Sequence, residues 1–144
     1  MEEALVRYVH FIGMIIISAA LIGEHLLIST DMQLKLFKKL VFVNAIYALG
    51  AVLAIVGGVL LLVYVGKPAE FYMTNMFFHI KMTLFILAVM LSAFPTYYFL
   101  KQRKSSAETI TIPKYIINII RAEIMLLLIL PLLGVFIASG IGHN

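Results

Sequence analysis

The 144-residue chain has no cysteine, which excludes disulfides, thiolate nucleophiles, iron–sulfur clusters and Cys-ligated zinc. Any chemistry falls to His, Lys, Arg, Glu, Tyr or a bound cofactor. Charge is also scarce: 12% of residues are Asp, Glu, Lys or Arg against 63% apolar, and a mean hydropathy of +1.08 excludes an ordinary soluble domain. The chain contains no P-loop, no Gly-x-Ser-x-Gly elbow, no His-Glu-x-x-His and no cysteine motif for covalent tetrapyrrole attachment. It also lacks any connection long enough to be a domain. The start, Met1-Glu2-Glu3, is acidic, and the first apolar run continues past Ser18-Ala19-Ala20, so the first helix is expected to be retained and not cleaved as a signal peptide.

What is present is four apolar runs, at 8–28, 40–65, 76–100 and 115–141. About 20 apolar residues cross a ~30 Å hydrocarbon core, so each run is long enough to span with some tilt. In hydrocarbon every backbone N–H and C=O needs an internal partner, and these continuous runs lack the alternation of a barrel strand, which leaves helices. The expected fold is all-α: one domain over 1–144, an integral membrane four-helix bundle with up-down-up-down topology.

The basic residues orient it. The first connection, Ser29 to Lys39, holds Lys35, Lys38 and Lys39, and the third holds Lys101, Arg103, Lys104 and Lys114. The other side holds Arg7 and Lys67, with Lys81 and Arg121 inside spans. This asymmetry predicts that the first and third connections are cytoplasmic and both termini non-cytoplasmic. The Lys101-Gln102-Arg103-Lys104 run is read as a topology determinant and not as a nucleic-acid site.

Helices in lipid associate through small residues and a few polar contacts. Gly50, Ala54 and Gly58 recur at four-residue spacing and predict a close helix contact, while Pro95 and Pro131 are expected to kink the third and fourth spans. The methionines and aromatics are scattered through all spans, which argues against a methionine metal pathway.

The polar residues inside the spans fall into two layers. With the first and third helices running inward, the outer layer holds His10, His79 and Lys81, and the inner layer holds Glu24, His25, Asn44, Arg121 and Glu123. His10, Met14, Ile17, Leu21 and Glu24 form one stripe, with Glu24 ~21 Å deeper than His10. His79 and Lys81 point about 200° apart, so one of them faces away from the bundle axis. Lys81 shares its face with Ala88, Ser92 and Pro95, which places it inside; His79 is placed at the lipid boundary or a subunit contact, against a bis-histidine site with His10. Two readings stay open for each outer group: Lys81, only ~9 Å into its span, either serves a site or snorkels to the headgroups, and His10 is either a ligand or proton relay or a structural imidazole. Arg121, aligned with Lys114 one stripe below, either reaches the cytoplasmic interface or pairs with the acids, and Glu24 and Glu123 are expected to be protonated or paired with it. His25 and His143 receive no role.

The stretch from Asn44 to Lys104, with Tyr47, Gly50-Ala51, Gly58, Gly66-Lys67, Phe71-Tyr72, Asn75, Ile80-Lys81, Leu91-Ser92 and Pro95-Thr96, resembles an uncharacterised bacterial family of four-helix membrane proteins. More distantly, the layout resembles the superfamily of the four-helix membrane protoporphyrinogen oxidase and the copper-resistance membrane protein, whose key His and Lys positions map onto His10 and Lys81. That resemblance implies a tetrapyrrole or electron-transfer role: His10 would ligate haem b or relay protons, and Lys81 would pair with a propionate. A second reading is a transporter or channel subunit with Glu24, Arg121 and Glu123 along its path, which at four helices without an internal repeat requires a homo-oligomer. A third is a non-catalytic membrane protein whose polar layers only set helix register.

Overall fold

The computed structural model describes residues 1–142, so His143 lies outside the described residues. The elements in chain order are α1 (Glu2–Leu27), β1 (Asp31–Gln33), α2 (Leu34–Leu60) prolonged by a π turn (Leu61–Val65), α3 (Ala69–Met73), α4 (Met76–Gln102), β2 (Thr109–Thr111) and α5 (Lys114–Ala138). Four helices are long and apolar enough to cross a membrane: α1, α2 with its π turn, α4 and α5. Two of them begin earlier than the apolar runs indicated. Lys35, Lys38 and Lys39 lie on the first turns of α2 and not in a connection, because a helix continues past the hydrocarbon boundary while its backbone bonds can be made.

The helices pack as two hairpins. In the first, α1 and α2 meet with almost no side chain between them. A Cβ on Gly13 would collide with the Ala54 backbone nitrogen; one on Gly50 would stand 2.7 Å from Ile16 Cγ2 and 2.9 Å from the Ile17 nitrogen; one on Gly57 would stand 2.8 Å from His10 Cβ. The pairs 10/57, 13/54 and 17/50 descend on one helix as they rise on the other, so α1 and α2 are antiparallel. The contact stripe is Gly50, Ala54 and Gly57, and this corrects the expected Gly50, Ala54 and Gly58. With 3.6 residues per turn, strict four-residue steps drift around the helix, and a four-then-three step keeps the stripe on its partner. Gly58 instead borders the His10 ring, 3.3 Å from Cε1 at the position its Cβ would take.

The second hairpin joins α4 and α5. Phe77 and Phe136 stack with ring centres 5.3 Å apart, and Gly134 faces Lys81. Fully buried Asn75 caps α4: its Oδ1 accepts from the Phe77 and Phe78 backbone N–H groups, and its Nδ2 donates to the Ile141 carbonyl beyond the end of α5 at 3.0 Å. Pro95 lies fully buried inside α4, and Pro131 lies exposed inside α5.

A feature absent from the sequence reading ties the hairpins together. The first and third connections pair as an antiparallel two-stranded ribbon, with Asp31 opposite Thr111, Met32 opposite Ile110 and Gln33 opposite Thr109. Leu34 N–H to Glu108 O and Ile112 N–H to Thr30 O extend the ladder, and the Tyr98 hydroxyl donates to the Thr111 carbonyl at 2.6 Å. The apolar core sits against this ribbon. Leu21, Met32, Phe37, Leu40, Phe99, Ile110, Ile112, Ile116 and Ile120 form one buried cluster, with Phe37 and Phe99 edge to face at 6.0 Å. The outward faces remain apolar, with Phe11, Ile15, Ile22 and Leu26 exposed along α1, as a lipid-facing surface requires.

Candidate functional site

The inner polar layer converges from all four long helices. Glu24 reaches in from α1 and accepts a 2.8 Å hydrogen bond on Oε1 from Asn44 Nδ2 of α2. Tyr47, one turn beyond Asn44, lies beside Ser92 of α4, whose hydroxyl donates to the Val89 carbonyl at 2.7 Å. Glu123 enters from α5, within electrostatic reach of both Glu24 and Tyr47. Glu24 is 1% exposed, Asn44 6% and Glu123 4%, and Glu123 Oε1 has no hydrogen-bond partner among the described residues.

Arg121 is not part of this layer. It is exposed, because two residues of α5 rotate it about 200° from Glu123. Among the described residues the one ion pair is Arg7 with Glu3, on the exposed start of α1. The expected pairing of Arg121 with Glu24 or Glu123 is therefore not formed. Tyr47 and Ser92 are the members that sequence reasoning missed, although both carried a signal: Tyr47 lies three residues after Asn44 on the same face, and Ser92 shares the inward face of Lys81.

The ribbon side of this layer is closed. Phe37, Ile116 and Phe99 each lie seven residues from a layer member (Asn44, Glu123 and Ser92), so they stack about two helical turns, ~10 Å, away on the same helix faces. Dry, close-packed side chains there exclude water.

The outer site brings together His10 and Lys81. The His10 ring is half-buried against Gly57 and Gly58, and its Nδ1 lies 2.7 Å from the Ala54 carbonyl, to which it donates. That bond selects the tautomer whose Nε2 lone pair is free. The half-buried Lys81 amine lies 3.1 Å from the position a Gly134 Cβ would take and within electrostatic reach of His10. His79 is exposed, with Nε2 2.7 Å from the Met73 carbonyl, where its opposite placement from Lys81 puts it. Among the described residues no three His, Cys, Asp or Glu side chains are grouped to hold a metal ion.

No curated protein and no solved structure matches the chain. The sequence profile of one family, described as "Predicted membrane protein (DUF2214)", matches residues 2–142. With four membrane-length helices and a match over nearly its whole length, the chain belongs to that family of multi-pass membrane proteins.

Proposed function

We propose that the protein is an up-down-up-down bundle in a bacterial cytoplasmic membrane, with both termini on the non-cytoplasmic side, and that the outer half of the bundle binds haem b or a related porphyrin. The orientation rests on the ribbon, which gathers Lys35, Lys38, Lys39, Lys101, Arg103, Lys104 and Lys114 at one end, against Arg7 and Lys67 at the other. Since the chain has no cysteine, single cysteines report sidedness directly. Glu70→Cys should react with a membrane-impermeant maleimide in intact cells and Ser106→Cys only after lysis; the reverse pattern would invert the topology.

One observation carries the ligand reading: the Ala54 carbonyl fixes His10 through Nδ1 and leaves the Nε2 lone pair free, as the backbone partners of metal-binding imidazoles do. Gly58 and Gly134 let the helix backbones lie directly against the imidazole and the amine, and among the described residues Lys81 has no carboxylate partner, so its charge is available to an anionic arm. His10 would hold the metal and Lys81 a propionate, with His79 turned away from the site. The bound group would supply redox or electron-transfer chemistry. Protein purified in detergent should show a Soret band that His10→Ala abolishes, Lys81→Met weakens and Lys81→Arg restores. A colourless protein that takes up no haem would remove the reading.

A further inference from the structure

The inner layer is independent of the porphyrin reading and calls for a ligand of its own. Two carboxyl groups, each more than nine-tenths buried, lie within electrostatic reach of each other, and among the described residues no basic side chain is ion-paired with either. The facing groups are Asn44 and Tyr47 from α2 and Ser92 from α4. Lys81 belongs to the outer site, and Arg121 is exposed. Burying an anion without compensation costs several kcal/mol, and a second anion beside it adds repulsion. Among the described residues Glu24 receives one hydrogen bond and Glu123 Oε1 none.

We infer that Glu24 and Glu123 form a single intramembrane site for an exchangeable monovalent cation, a proton or Na⁺, to which the buried, unpartnered Glu123 Oε1 offers a free acceptor. Asn44 holds Glu24 in place by its amide, and Tyr47 lies within electrostatic reach of both carboxyls. The Phe37, Phe99 and Ile116 packing seals the ribbon end, so the cation exchanges through the opposite half of the bundle. No bond other than that to the exchanging cation is made or broken.

The test uses the full-length protein in detergent, with infrared spectroscopy of the carboxyl groups and thermal melting in NaCl, KCl and choline chloride. If the ion is a proton, the wild type shows a protonated-carboxyl band, and Glu24→Gln moves the pH midpoint of the remaining Glu123 by at least one unit, the mark of coupled titration. If it is Na⁺, millimolar NaCl removes that band and raises the melting temperature, KCl and choline do neither, and Glu123→Gln abolishes the Na⁺ effect. Bands that subtract additively in the two Gln variants, unshifted in pH and insensitive to Na⁺, would show two separate structural acids and overturn the proposal. Should a Gln variant not accumulate, the wild type together with Asn44→Asp, which adds a third carboxyl beside the pair, carries the test: an unchanged titration and no Na⁺ response would overturn it equally.

Discussion

The side-chain amide of Asn44 on α2 donates to the carboxyl of Glu24 on α1 across 2.8 Å, in a layer that all four long helices line. Removing the donor leaves Glu24 buried without compensation, a cost of about 1–3 kcal/mol. Asn44→Ala should therefore lower the melting temperature in detergent, and Glu24→Gln combined with Asn44→Ala should recover part of the loss. If the double variant is no more stable than Asn44→Ala, the bond does not couple the two helices.

The α1–α2 contact tolerates no side chain. Gly13→Leu or Gly50→Leu would drive the helices apart and forfeit their interdigitation, with an expected loss of about 3 kcal/mol or more given the backbone clash. Gly23→Ala, whose Cβ would stand 3.4 Å from Val43 Cγ1, should be nearly neutral. Equal melting temperatures for Gly13→Leu and Gly23→Ala would show that the close approach is not what holds this hairpin.

Asn75 serves two elements at once, capping α4 and holding the chain beyond α5 through Ile141. Asn75→Ala should cost about 1–2 kcal/mol, read as a lower unfolding midpoint. It should also raise protease or hydrogen-exchange susceptibility at residues 139–142, while Asn75→Asp, which keeps the acceptor and loses the donor to Ile141, should loosen the tail and retain the cap.

At the opposite end, Tyr98→Phe removes the hydroxyl that holds the Thr111 carbonyl at 2.6 Å. About 1 kcal/mol of stability should be lost. Faster amide exchange in β2 (Thr109–Thr111) than in α5 would place the damage at the ribbon.

Core truncation should be costlier still. Phe99→Ala empties a fully buried ring that meets Phe37 edge to face, and a loss of about 3–5 kcal/mol is expected from detergent unfolding. A smaller loss for Phe136→Ala, a half-buried ring, would place the tighter packing at the ribbon end.

Much of the site was legible residue by residue. The 100° rotation per residue separated Lys81 from His79 and put His10 and Glu24 on one stripe; Glu24 is buried, His10 and Lys81 are half-buried, and His79 is exposed. Arg121 depends on more than its own helix. Depth along α5 was readable, but which side of α5 meets the other helices depends on how the two hairpins dock, and that rotation leaves Glu123 inside and Arg121 out. The ribbon was equally hidden, since three-residue strands in polar connections carry no periodicity long enough to detect.

The sequence alone determined that this chain is helical and membrane-embedded, with four crossings and a handful of ionisable groups inside them. The cause is local: run length, hydropathy and the need of each backbone group for a partner are properties of single segments. Only the tertiary structure decided that Gly57 and not Gly58 takes the backbone of α1, that the two basic connections pair as a ribbon, and that Tyr47 and Ser92 join Glu24, Asn44 and Glu123 in one layer. Those outcomes depend on helix rotation and register, which are settled by packing between segments distant in the chain.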